Sequence, residues 1–159
     1  MMDPGKGTVK GEPQPPLHDA DFGAFSKNDV LDLFLLAGQS NMKGRATIPM
    51  APEENKKILF FHSKKERWYV ARDPLHAQGV PDLIDGADNS GTGPAMTFAR
   101  CLAEKDPQRK VGLIPTAVGG APIDGYGPLG ALYTRSLLLT RNAVERAGIE
   151  TKLRAILWL

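Results

Sequence analysis

Val30-Leu31-Asp32-Leu33-Phe34-Leu35-Leu36-Ala37-Gly38 is the stretch that decides the fold. It is an apolar run broken by one aspartate and closed by a glycine. Its length suits a strand buried on both faces, as in a parallel sheet. Three more runs have the same character: Ile58-Leu59-Phe60-Phe61, Val111-Gly112-Leu113-Ile114-Pro115-Thr116-Ala117-Val118, and Leu153-Arg154-Ala155-Ile156-Leu157-Trp158. Helices are predicted between them. Pro94 suits a first helical turn after Thr92-Gly93. Ala95, Phe98, Ala99, Leu102 and Ala103 then recur at helical spacing until Asp106-Pro107 stops the run. A second helix is expected from Leu132 to Ala147, with Gly148 as its C-terminal cap. Strands alternating with helices imply an α/β layered sheet with right-handed crossovers.

The chain has 159 residues, enough for one domain with one core. Its 42% hydrophobic and 24% charged residues are ordinary for a globular protein. Twenty basic residues oppose eighteen acidic ones, which gives no reason to invoke nucleic acid or an anionic membrane surface. One cysteine, Cys101, makes no internal disulfide and reads as a structural thiol inside the first long helix. Met1-Met2-Asp3-Pro4-Gly5-Lys6 lacks the apolar stretch of a signal peptide, and no run is long enough to span a bilayer. Residues 1–28 are rich in Pro, Gly, Asp and Lys, and read as a tail or linker that packs weakly, with the domain proper at 29–159.

In open α/β sheets ligands bind beyond the carboxyl ends of the strands. Gly38-Gln39-Ser40-Asn41-Met42-Lys43-Gly44 sits there after the first strand. A serine on such a turn exposes its Oγ, and nearby N–H groups and the positive helix end can stabilise negative charge. It could equally be a helix N-cap, and position alone does not separate the two. Ala117-Val118-Gly119-Gly120-Ala121-Pro122 follows the third run, and paired glycines let backbone N–H groups approach a ligand closely. The two strands are expected to be neighbours, so that both turns share one site.

Other patterns carry less. Gly38 to Lys43 lacks the Gly-Lys pair of a phosphate-binding loop. Gly125-Tyr126-Gly127-Pro128-Leu129-Gly130 fits a dinucleotide glycine pattern, yet it follows no strand directly and contains a proline. Lys64-Lys65-Glu66-Arg67-Trp68-Tyr69 reads as a solvated hairpin edge. A serine nucleophile needs a base, usually histidine, oriented by an acid. His18 lies in the tail and His62 closes the second strand. His76 belongs to Asp73-Pro74-Leu75-His76, a spacing that could hold both partners.

The blocks together resemble a known family. Leu35-Leu36-Ala37-Gly38-Gln39-Ser40-Asn41-Met42 is similar to the nucleophile block of SGNH-type carbohydrate esterases. The nearest branch is the sialate O-acetylesterase-like domain, which includes carbohydrate esterase family 6. Asp73 to His76, Gly93 to Ala99, Val111 to Gly120 and Ala155 to Trp158 follow in that family's order, so the likeness covers roughly residues 30–158. The resemblance implies a three-layer α/β/α sandwich with a parallel, flavodoxin-like sheet. It implies Ser40 as nucleophile, with oxyanion N–H groups from Ser40 and from Gly119 or Gly120. Gln39, Asn41 and His76 are pocket candidates, His76 being structural or pocket-lining because the family's early Pro-Leu-His block is not its catalytic Asp-x-x-His. The substrate implied is an acetylated sugar or polysaccharide, with no cofactor, metal, nucleic acid or membrane partner. Family members are often secreted. The family's Gln-Gly-Glu-Ser and Asp-x-x-His blocks would follow Trp158, so the expectation is a fold without its last elements and a chain inactive or very weak alone. The competing reading is a non-catalytic carbohydrate-binding or vestigial domain. A third, nucleotide binding through the glycine loops, has less behind it.

Overall fold

The computed structural model describes residues 14–49 and 53–159. Five strands form one sheet: β1 (Val30–Ala37), β2 (Ile58–His62), β3 (Arg67–Val70), β4 (Lys110–Pro115) and β5 (Glu150–Trp158). Three helices accompany them: α1 (Ser40–Lys43), α2 (Pro94–Lys105) and α3 (Ala131–Glu145). The strand order is β3-β2-β4-β1-β5. β2, β4, β1 and β5 run parallel, and β4-β1-β5 reproduces the start of a flavodoxin-like order. The sheet is mixed, however, because β3 pairs antiparallel to β2. Residues 63–66 alone join the two, and a parallel return needs a crossover of a dozen or more residues.

Alternation along the central strands builds two cores. On one face Phe34, Leu36, Phe60 and Leu113 pack with Ala95, Met96 and Ala99 of α2. On the other, Leu31, Leu33, Leu35, Phe61 and Ile114 pack with Leu139 and Ala143 of α3. Two faces with one helix layer each make the expected three-layer sandwich. Asp32, the one polar residue of the β1 run, is buried against Arg154 at 2.7 Å and Arg109 at 3.6 Å. Its charge is therefore paired where the run would otherwise carry an isolated carboxylate.

Three expectations need correction. The described part of the N-terminal segment is not loose. Leu17 packs on the α2 face, and Phe22 and Phe25 pack on the α3 face, where the Phe22 ring meets Trp68 edge-on at 6.5 Å. Aromatic burial outweighs the proline-rich composition there, while residues 1–13 lie outside the described residues. Gly148 does not cap α3, which ends at Glu145 with Arg146 as its C-cap. A Cβ on Gly148 would stand 2.6 Å from that of Phe22, so this glycine admits the N-terminal segment instead. Cys101 is exposed on α2 and fills no core space.

β5 has β1 as its only described neighbour. On the α3 face it presents Leu153, Ile156 and Trp158, which are 52%, 60% and 49% exposed. Together they form an exposed apolar strip along β5.

Candidate active site

β1 and β4 are parallel neighbours, so the turns leaving their carboxyl ends lie side by side. Gly38 leaves β1 with φ 118°, in the left-handed region, and a Cβ there would run into the Leu159 carbonyl. Only glycine turns the chain at this point. Gln39 is the N-cap of α1, without a side-chain capping bond, and Ser40 is the first helical residue. Ser40 is therefore not an N-cap. α1 has only four residues, too few for a macrodipole of any size, so what the sequence reading assigned to the helix end falls to individual N–H groups.

On the neighbouring turn the Val118 N–H donates to the Gly38 carbonyl at 3.2 Å, tying the two strand ends together. Gly119 is buried, and Gly120 has φ 71°. Among the described residues no backbone carbonyl takes the N–H of Ser40, Gly119 or Gly120. Gln39, Ser40 and Gly120 line a cavity of about 770 Å³ together with Arg45, Asp82 and Ile84. Asn41 is exposed and does not line it.

A family model described as carbohydrate esterase, sialic acid-specific acetylesterase, matches residues 30–159. The chain belongs to this family. A probable carbohydrate esterase of Arabidopsis thaliana is 31% identical over 143 residues, covering 79% of this chain and 52% of the relative. A solved Arabidopsis thaliana structure superposes with a TM-score of 0.65 at 28% identity, covering 80% of this chain and 56% of that one. The chain thus spans about half the length of the curated relative it matches.

Within this carbohydrate esterase domain no hydrogen bond joins any of the three histidines to the Ser40 hydroxyl among the described residues. His18 is exposed and contacts Glu54 at 2.6 Å. His62 ends β2, where burial and then Lys65 hold its pKa below the usual value. His76 is buried and hydrogen-bonds the Leu36 backbone, and its Nε2 has no partner. Burial first, then the Lys43 and Arg135 charges, push its pKa down to about 3. It does not line the cavity. Asp73 accepts from the Gly93 and Leu75 N–H groups, and burial raises its pKa to about 6. Asp73 and His76 thus serve two different backbone segments despite their spacing.

A buried ionic cluster, outside the motifs legible in the sequence, lies beneath the glycine turn. Lys43, with no exposed side-chain surface, contacts Asp82 at 2.7 Å, Asp88 at 3.0 Å and the Val80 carbonyl at 2.9 Å. Arg45 holds the other Asp82 oxygen at 2.6 Å. Lys43 lies one turn after Ser40, but its Nζ is taken up by these three acceptors. A Cβ on Gly119 would overlap the Asp82 carboxylate, and the Leu83 N–H donates to the Gly119 carbonyl at 2.8 Å. The cluster is the floor on which the second turn rests. The Met42-Lys43-Gly44 lysine and the aspartates of residues 82–88 were its signals, but their pairing spans 39 residues of sequence.

The remaining patterns resolve simply. Residues 125–130 close a 3-10 turn, Ile123–Tyr126, and lead into α3 without following a strand. Residues 64–69 do form a hairpin, but Trp68 and Tyr69 are buried in it. Among the described residues no group of three or more His, Cys, Asp or Glu side chains is placed to hold a metal, and no helix is long and apolar enough to cross a membrane.

Proposed function

We propose that the chain carries the nucleophile half of a serine esterase that removes acetyl groups from sugars or polysaccharides. One observation supports this reading most: the carboxyl ends of neighbouring strands put Ser40 and Gly120 on the wall of a single cavity. Ser40 Oγ attacks the acetyl carbonyl carbon and its proton passes to a base. The carbonyl oxygen, now negative, is held by the Ser40 and Gly120 N–H groups. Each such donor is commonly worth about a hundred- to a thousand-fold in turnover. The ester C–O bond then breaks, and the sugar oxygen leaves with the proton. Water attacks the acetyl-serine in the second half-reaction, releasing acetate and restoring Ser40.

None of the histidines described above is the base. On this reading base and acid belong to the part of the full-length protein outside this chain, as the family resemblance implies. Loss of such partners commonly costs on the order of a million-fold. Hydrolysis of a nitrophenyl acetate tests the reading with four proteins: this chain, its His76→Ala variant, the full-length protein and full-length Ser40→Ala. Little activity in this chain is expected, with activity in the full-length protein that Ser40→Ala removes. Activity in this chain that His76→Ala abolishes would make the local Asp73 and His76 the catalytic pair and overturn the assignment of the base. The lack of a histidine at Ser40 favours the alternative, a non-catalytic carbohydrate-binding domain, if the full-length protein is also inactive.

A further inference from the structure

The end of β1 must leave the sheet at Gly38 and still hold the Ser40 turn in register with the Gly120 turn on β4. Tyr126 sits where that register is set. It closes the 3-10 turn Ile123–Tyr126 that leads towards α3. Its hydroxyl donates to the Gly38 carbonyl at 2.7 Å and accepts from the Gly38 N–H at 3.3 Å. One oxygen thus serves both backbone groups of the residue whose left-handed φ ends the strand. The Val118 N–H, already bonded to the Gly38 carbonyl, also faces this hydroxyl. The Tyr126 ring packs edge-on against Trp158 with centroids 4.7 Å apart. One side chain therefore touches the turns that follow β1 and β4 and the last residue of β5.

We propose that Tyr126 is a positioning residue whose hydroxyl fixes the spacing between the Ser40 turn and the Gly120 turn. The proposal rests on the reading of Ser40 as nucleophile. Tyr126 does not line the cavity, so it acts through Gly38 and Val118. The required geometry is demanding, because a misplacement of about 1 Å at a reacting centre can cost about a hundred-fold in rate. Tyr126→Phe keeps the ring against Trp158 and removes only the oxygen.

The test uses the full-length protein in three forms: parent, Tyr126→Phe and Ser40→Ala. Nitrophenyl acetate kinetics are measured alongside hydrogen exchange read by mass spectrometry. Tyr126→Phe is expected to lower kcat about ten- to a hundred-fold while KM stays within about two-fold. Exchange should quicken in peptides covering residues 37–40 and 117–121, and stay unchanged in α2. A kcat within about two-fold of the parent overturns the proposal. So does unchanged exchange at the two turns, or a uniform rise in exchange with kcat falling only as the folded fraction falls. If Ser40→Ala retains activity, the nucleophile reading fails instead, and the exchange at the two turns alone decides whether Tyr126 couples them.

Discussion

Replacing Lys43 by methionine perturbs the site at its floor without touching the cavity's reacting groups. Lys43 is fully buried and neutralises Asp82 and Asp88 at 2.7 and 3.0 Å. Methionine fills most of the stem's volume but leaves Asp82, itself buried, with Arg45 as its cation. Breaking a buried pair from one side commonly costs about 3–5 kcal/mol, because the charge left behind loses its compensation, here in part since Arg45 stays on Asp82. For a domain of this size each kcal/mol moves Tm by about 2–4 °C, so Lys43→Met should lower Tm by about 6–20 °C. Urea unfolding followed by circular dichroism gives the free energy at constant slope. The Lys43→Met/Asp82→Asn double variant should be at least about 1 kcal/mol more stable than Lys43→Met alone, since it removes the buried carboxylate that has lost one of its two cations. A single variant within about 1 kcal/mol of the parent, or a double variant less stable than the single, refutes the reasoning.

Further outcomes follow from the same structure. Asp73 has a folded pKa of about 6 against 3.8 in the unfolded chain, so the folded state holds the proton more tightly and stability falls as pH rises through that window. The loss is at most about 3 kcal/mol, and Asp73→Asn should remove it, seen as a variant-minus-parent difference that grows from about pH 4 to pH 6. His76, at about 3 against 6.5, acts in the opposite sense: its contribution is lost as pH falls from about 6.5 to 3, and His76→Gln should flatten the acid limb. Where the windows overlap the two slopes oppose, so each variant exposes the other's. Ile156→Lys, on the exposed β5 edge, should reduce concentration-dependent self-association of this chain in sedimentation velocity, and no change would argue against that edge as the sticky surface.

Much of this architecture is legible in the sequence because local pattern and burial agree there. The β1 run is apolar because both its faces are covered, and Pro94 and Asp106-Pro107 bound α2 by backbone chemistry alone. Ser40 and Gly120 are legible for a related reason: each follows a buried strand, where a chain leaving the sheet must turn. β5 is less so. Its first residues, Glu150, Thr151 and Lys152, are polar, so apolar pattern finds only the strand's second half. The antiparallel sense of β3 depends on the shortness of the connection. The ionic floor, the Tyr126 contact and the burial of His76 are set by tertiary contacts, and residue spacing carries none of them. Asp73 and His76 illustrate this most sharply, since a spacing suited to a catalytic pair is used for two separate backbone contacts.

The most direct test of the central claim is covalent trapping. The full-length protein is treated with a fluorophosphonate, digested, and the modified residue located by mass spectrometry. The account predicts one stoichiometric adduct, on Ser40, absent from the Ser40→Ala variant and blocked by prior exposure to an acetylated sugar. Labelling at another serine, or an active enzyme whose Ser40 stays unmodified, contradicts it.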